Sequence, residues 1–281
     1  MPFLGIEKWE EHIFESHDVS VDIPCDDVYA YKLNPSHRHL YYKPLVLDLL
    51  GVYNAPSGSP VNSYPVIQKP VINPFGMGMG VEVFHSNYDE DRDYKPGTFL
   101  MEMYEGQHVS VDCLVIDGGI EFTQTAIGIP GPGQTFEYWE LIQRENSIPE
   151  KIKKLVEKTN YTGAMNIEMI GHNLIEIALR FSGQFVDMYD ESFLTNIISL
   201  YNGTGISHPI EQVCGRYSVP IFVPDVYDER LAQFCSSDLI TYTLEADITL
   251  PGGQRFGYIN TDDLEDALAM REEIYNVIDN H

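Results

Sequence analysis

Two glutamates, an asparagine and an arginine fall within one short run, MNIEMIGHNLIEIALRFSG from Met165 to Gly183, whose other residues are mostly Ile, Leu, Met and Ala. Its apolar pattern predicts a β-hairpin. A three-residue turn at Gly171-His172-Asn173 pairs residues whose numbers add to 344, so Glu168 faces Glu176 and Asn166 faces Ala178. Arg180 follows on the face of Glu176. Facing side chains of an antiparallel pair have Cβ atoms about 4.5–5.5 Å apart, where like charges repel. The pair therefore needs a cation or must protonate one member. Two carboxylates, an amide and a guanidinium suit a hard divalent cation such as Mg²⁺ with phosphate oxygens, the arginine gripping a phosphate or a carboxylate through two bonds. Taken alone, the hairpin also reads as a solvent-facing strand side on which Arg180 neutralises Glu176.

Lys69, in PVIQKPV, lies seven residues before Gly76, the first glycine of GMGMG. A lysine on a strand is commonly a surface residue, and the glycine-rich run close behind it gives the chain an unusually permissive backbone there. GMGMG is no dinucleotide fingerprint, because no helix N-cap and no ribose-binding acid follow at the required places. Other chemistries find little support. His37, His39, His85, His172 and His208 are scattered and lack zinc-ligand spacing. RFSGQ is not a nucleophile elbow, which makes Ser182 a turn residue. Asp112 and Glu121 are expected to be solvated or structural, and Arg144 to form a surface ion pair.

The elements that must position these residues alternate between strand and helix patterns over 281 residues, giving an α+β class with a mixed sheet. Leu45, Leu49 and Leu50 lie at helical spacing before Gly51, a glycine suited to the helix end. PVIQKPV, GVEVF, TFLMEMYEG and HVSVDCLVIDGGIEFTQT read as strands, the last a hairpin turning at Asp117-Gly118. SIPEKIKKLVEK predicts an amphipathic helix capped by Ser147, with Ile148, Ile152, Leu155 and Val156 on its inner face and four lysines on a solvated one. DMYDESFLTNIISLYNG predicts a helix closed by Gly203. SVPIFV and DLITYTLEADITL read as strands, and a final helix is capped by Thr261, with Leu264, Leu268, Ile274 and Ile278 inward.

A hydrophobic fraction of 43% is enough for a full core, and a net charge of −26 without a basic stripe argues against nucleic acid and anionic membrane as partners. No apolar run approaches the roughly 18 residues of a membrane helix. The N-terminus has no basic, leader-like segment, so a cytoplasmic protein is expected. Cys25, Cys113, Cys214 and Cys235 are far apart, without a CxxC pair, and read as thiols.

Taken together, these segments resemble the ATP-grasp family of carboxylate ligases. YTGAMNIEMIGHNLIEIALRFSG is similar to the family's metal-bearing hairpin, and PVIQKPVINPFGMGMGVEV to its lysine strand and flexible glycine loop. FLMEMYEGQHVSVDCLVIDGGIEF resembles the adenine-contacting strand and the hairpin after it. LVLDLLGVYNAP resembles the helix and turn that precede them, and GYINTDDLEDALAMREEIYNVI the terminal segment of biotin-carboxylase-type members. The order and spacing match from about Leu40 to Gly203.

The resemblance implies an ATP-grasp fold, two α+β subdomains with antiparallel or mixed sheets clasping a nucleotide. It divides the chain into a short segment 1–36, a core 37–204 and a C-terminal α+β extension 205–281. It implies an ATP- and Mg-dependent ligase that activates a small-molecule carboxylate as an acyl phosphate for attack by an amine or similar nucleophile. Lys69 would contact the phosphates, and Gly76, Gly78 and Gly80 would close over them. Glu102, Met103 and Tyr104 would line the adenine, and His108 would stand where a ribose-binding glutamate is common. Glu168 and Glu176 would hold Mg²⁺, with Asn166 or a water supplying the oxygen that Ala178 lacks. Arg180 would anchor the substrate carboxylate or the acyl phosphate. Arg38 and Lys43 are the candidates for the family's first lysine. Fewer than forty residues precede the core, so the substrate is expected to be held by the tail together with a partner protein or a second copy of the chain. The alternative is a noncatalytic, ATP-grasp-like module that binds a nucleotide or serves as an interaction partner.

Overall fold

The computed structural model describes residues 3–6, 11–14, 17, 19–61, 63–73, 78, 80–86, 94–131, 135–144, 147–234, 240–250 and 253–279. The strands are β1 (Phe3–Leu4), β2 (Ile23–Pro24), β3 (Asn54–Pro56), β4 (Val66–Pro70), β5 (Glu82–Phe84), β6 (Thr98–Glu102), β7 (His108–Ile116), β8 (Gly119–Pro130), β9 (Phe136–Ile142), β10 (Gly163–Ile170), β11 (Asn173–Ala178), β12 (Arg216–Val223), β13 (Ile240–Leu250) and β14 (Gly253–Thr261). The helices are α1 (Glu11–Phe14), α2 (Asp27–Leu33), α3 (Lys43–Leu49), α4 (Glu150–Glu157), α5 (Glu191–Tyr201) and α6 (Leu264–Asp279), with 3-10 turns at Pro35–Tyr41, Gly183–Met188 and Glu229–Gln233. No described helix is long and apolar enough to cross a membrane.

Eight strands form one sheet in the order β11-β10-β7-β8-β9-β12-β14-β13, and four form a second in the order β3-β6-β4-β5. The pairings within both are antiparallel, while β1 and β2 form a separate parallel pair. Alternation explains how the large sheet builds its core. Val109, Val111, Cys113 and Val115 of β7 and Met165, Ile167 and Met169 of β10 share one face and bury there against Ile148, Ile152 and Val156 around α4. Period two then sends Ser110, Asp112, Asn166 and Glu168 to the other face.

Helix α3 joins the two sheets. Val46 packs into the β7–β10–β11 core, and Leu47 packs against Phe99 and Met101 of the small sheet. This wedge changes the expected inner face. Leu45 and Leu49, placed inward by helical spacing, are 37% and 59% exposed, because the helix buries two adjacent flanks against two partners. Gly51 sits just past the helix at φ +69°, where a C-terminal glycine belongs.

Other local expectations change in detail. Helix α4 starts at Glu150 after Pro149 without a side-chain cap, and the Ser147 hydroxyl instead donates to the Arg144 carbonyl. Its apolar face is buried as its spacing requires. Asp263, not Thr261, caps α6: its carboxylate accepts from the Asp266 amide, and Thr261 accepts from the Asp263 amide. The β7–β8 turn at Asp117-Gly118 has φ of +47° and +82°, as a tight hairpin needs. Strands β9 and β14 come without a sequence pattern that announces them. Cys25, Cys113 and Cys214 form no disulfide among the described residues, and Cys235 lies outside them.

Candidate functional site: a carboxylate pair between two lysines

Hairpin β10–β11 carries the carboxylates. Glu168 pairs with Glu176 and Asn166 with Ala178. The turn differs from the one expected: Ile170 pairs with Asn173 and Met169 with Leu174, so only Gly171 and His172 turn the chain. A bulge then leaves Ile175 unpaired and shifts the register by one. A shorter turn plus one inserted residue thus produces the same opposition of glutamates.

The repulsion between the glutamates is answered by two cations or potential cations of the chain. Lys43 Nζ, at the start of α3, lies 3.1 Å from Glu176 Oε2, and His108 Nε2, at the start of β7, lies 3.2 Å from Glu168 Oε2. The two carboxyls part company. Burial raises Glu168, but the His108 hydrogen bond and charge, then Arg180 and Lys43, outweigh it and hold its pKa below the ordinary carboxylate value. Glu176 is pushed up by burial and by the charges of Glu168 and Asp27, against the pull of Lys43.

Lys69 reaches the same place from the small sheet. It is half-buried, pairs with Phe99 across β4–β6, and feels the charges of Lys43, Glu176 and Glu168. Among the described residues it has no hydrogen-bond or ion-pair partner. Loss of water, and then repulsion by Lys43, press its ammonium down to about 8, only partly offset by the two glutamates. It remains charged at neutral pH. A cation drawn out of water without a counter-ion is costly, and an anion from solution would relieve it.

Arg180, expected beside Glu176, is held elsewhere. Its Nη2 donates to Asp27 Oδ2 at 2.8 Å and its Nη1 to the Phe181 carbonyl at 3.1 Å. Asp27, 4% exposed at the start of α2, also accepts from the Tyr41 hydroxyl, whose oxygen accepts from the Leu179 amide. Burial opposes the guanidinium charge, but Asp27 outweighs it and raises the pKa. Glu168 also contributes to that rise, so Arg180 remains within electrostatic reach of the pair.

Asn166 gives its Nδ2 to Ser110 Oγ at 2.9 Å and Asp112 Oδ1 at 2.7 Å. Asp112 is buried and structural: it also accepts from the Ser182 amide and the Tyr189 hydroxyl, tying the segment after Arg180 to β7. Burial raises its pKa despite these donors. Where β6 ends, Glu102 is exposed and Met103 donates its amide to the Pro65 carbonyl. The Tyr104 hydroxyl is buried without a hydrogen-bond partner among the described residues, and its pKa is pushed up to about 12 by burial and then by Glu102. Gly78 and Gly80 have φ of +62° and +74°, and a Cβ at Gly80 would lie 3.3 Å from Pro70 Cγ. Gly76 lies outside the described residues. Of the two first-lysine candidates, Lys43 is at the pair, whereas Arg38 Nε donates to the Tyr31 carbonyl. A separate cavity of about 280 Å³ lies between β8 and α4, lined in part by Glu121, Lys153 and Glu157.

Among the described residues, no group of three or more His, Cys, Asp or Glu side chains could hold a metal ion. Mg²⁺ commonly takes only one or two carboxylates and completes its shell with water and phosphate oxygens, so Glu168 and Glu176 fit such an ion when a polyphosphate shares it. The Tyr104 hydroxyl and the Lys69 ammonium, both without a partner among the described residues, likewise fit a polar, anionic ligand. Sequence reasoning missed Asp27, Tyr41 and Tyr189. No local pattern marks them, because their partners lie 153, 138 and 77 residues away.

The sequence matches no protein-family model and no curated protein. The structure is similar to that of an L-amino acid ligase from Bacillus licheniformis, with 14% identity and a TM-score of 0.54 over 89% of this chain and 75% of that one. It is similar to N5-carboxyaminoimidazole ribonucleotide synthetase from Thermus thermophilus, with 13% identity and a TM-score of 0.58 over 92% and 82% of the two chains. A third similar structure is N5-carboxyaminoimidazole synthase from Aspergillus clavatus in complex with ADP and 5-aminoimidazole ribonucleotide, with 11% identity and a TM-score of 0.57 over 93% and 83%. With two antiparallel sheets joined through α3 and these structures as neighbours, the chain has the ATP-grasp fold.

Proposed function

We propose that the chain is an ATP- and Mg-dependent ligase that activates a small-molecule carboxylate as an acyl phosphate for attack by an amine. The observation that carries this reading is the half-buried ammonium of Lys69, without a partner among the described residues and within electrostatic reach of the Glu168–Glu176 pair. Lys69 and Lys43 would hold phosphate oxygens, with Gly78 and Gly80 leaving room for backbone amides to approach them. Tyr104 would meet the nucleotide through its free hydroxyl. Glu168 and Glu176, with Asn166 nearby, would hold Mg²⁺, which supplies charge neutralisation for the phosphates. The chain's own contribution is positioning and electrostatics, as in other phosphoryl transfers. Arg180 would present the face left free by Asp27 to the carboxylate or to its phosphorylated form.

A second reading has its own support. Ala178 offers no oxygen opposite Asn166, and Arg180 is already engaged by Asp27, which suits a noncatalytic module that binds a nucleotide or a partner. The two readings separate in one experiment. Thermal unfolding is followed with ATP or ADP, with and without Mg²⁺, and ADP release is then measured against a panel of amino acids and small carboxylates. The ligase reading expects Mg-dependent stabilisation and turnover with at least one carboxylate, both lost in Glu176→Gln and Lys69→Ala. Stabilisation without turnover on any of them supports the binding module, and no stabilisation removes both nucleotide readings.

A further inference from the structure

Three charged contacts hold the site, and they differ in how many neighbours orient the cation. Arg180 is fixed by Asp27, which is itself held by Tyr41. His108 is wedged edge-on against the rings of Phe136 and Trp139, with centroids 4.9 and 5.3 Å away. Among the described residues Lys43 reaches Glu176 through one ion-pair contact, from a side chain only 9% exposed to a carboxylate on the edge strand of the sheet. A lysine ammonium is a compact point charge that can change partner by rotation, unlike a forked guanidinium. The like charge that it opposes is Lys69, which has no carboxylate of its own among the described residues.

Resting on the nucleotide reading above, we infer that Lys43 is an exchangeable counter-ion: it occupies Glu176 in the free protein and passes to the phosphates when metal and nucleotide arrive together. A metal ion alone meets a carboxylate already neutralised and must displace Lys43 into a space where Lys69 repels it. Phosphate oxygens remove that penalty by receiving both ammoniums. Metal and nucleotide binding are therefore coupled through one side chain, and by linkage the coupling is reciprocal. Lys43 is in this sense a positioning residue for the metal and a direct contact for the nucleotide.

The test uses the full chain, with Mn²⁺ followed by its electron paramagnetic resonance signal and the β,γ-imido analogue of ATP followed by calorimetry. In Lys43→Met, affinity for Mn²⁺ alone is expected to rise at least tenfold, and affinity for the analogue in the presence of Mn²⁺ to fall at least tenfold. Lys43→Arg, which keeps the pair, is expected to bind Mn²⁺ alone as weakly as the wild type. The exchange is overturned if Lys43→Met takes up Mn²⁺ no better than the wild type or binds the analogue no worse. Lys43→Met leaves a carboxylate unpaired and could unfold, so wild-type protein carrying ¹³C-dimethylated lysines provides a second measurement. The resonance missing from Lys43→Arg should move with Mg²⁺ plus analogue and stay in place with Mg²⁺ alone; a resonance stationary in both overturns the exchange. Failure of the wild type to bind the analogue overturns the nucleotide reading itself. Failure of the Lys43 comparisons with wild-type binding intact overturns the exchange alone.

Discussion

The edge hairpin of the large sheet and strand β4 of the small one bring charge to the same place under opposite terms. On the hairpin side the three charges are answered: Glu168 by His108, Glu176 by Lys43, and Arg180 by Asp27. On β4, Lys69 is half-buried with no partner among the described residues. Answered charges hold a fold together because removing one leaves its partner stranded. An unanswered charge weakens the fold and is the place to look for a ligand.

The comparison can be broken first at Asp27. Asp27→Ala strands the Arg180 guanidinium and the buried Tyr41 hydroxyl together, so urea unfolding should show a loss of about 3–5 kcal/mol. A loss below about 1 kcal/mol would mean that the Arg180 contact is incidental. Lys69→Met should act in the other direction. The folded chain is expected to gain about 1–3 kcal/mol by losing a destabilising charge, while affinity for ATP with Mg²⁺ falls roughly a hundredfold. A variant that is both less stable and fully competent for nucleotide would remove Lys69 from the site.

Titration sharpens the same contrast. The folded pKa of Lys69, about 8, lies below the ordinary lysine value of 10.5, so between those values the unfolded chain binds more protons than the folded one. The Lys69 contribution to stability should therefore rise as pH increases through that window. Nucleotide affinity should fall over the same window as the ammonium is lost. Both are measured as the difference between wild type and Lys69→Met, which cancels the other titrating groups. The smallest effect belongs to the surface: Lys154 lies 3.7 Å from Glu150 with its side chain 63% exposed, and Lys154→Ala should change stability by less than about 0.5 kcal/mol in the same urea titration.

What the sequence made legible follows the range of the physics involved. The glutamate opposition, the Asp117-Gly118 turn and the buried face of α4 depend on residues close in the chain, and local pattern reaches them. So does the placement of Lys69 on a strand ahead of glycines. Strand β14 escaped because GQRFGYINT has no clean alternation, and its place is set by β12 and β13 on either side. The inner face of α3 escaped because two sheets, not one, compete for it. Asp27 escaped for the plainest reason: a single aspartate in an early segment says nothing of an arginine 153 positions later.

Ile175, the extra residue in β11, has a consequence for how this hairpin can change length. Were the ladder begun at the tip to run on with Ile175 taken into it, Glu176 would stand opposite Ile167 and turn toward the oily interior, while Ile177 would be swung out to solvent. Excision of Ile175 itself does no such harm, since Leu174 would then lead straight to Glu176 and the two acids would still meet. Removal of one residue from the regular ladder between Glu176 and Ala178 has no slack to draw on and should invert the residues beyond it. Insertions and deletions that the hairpin survives are therefore expected to cluster at the bulge.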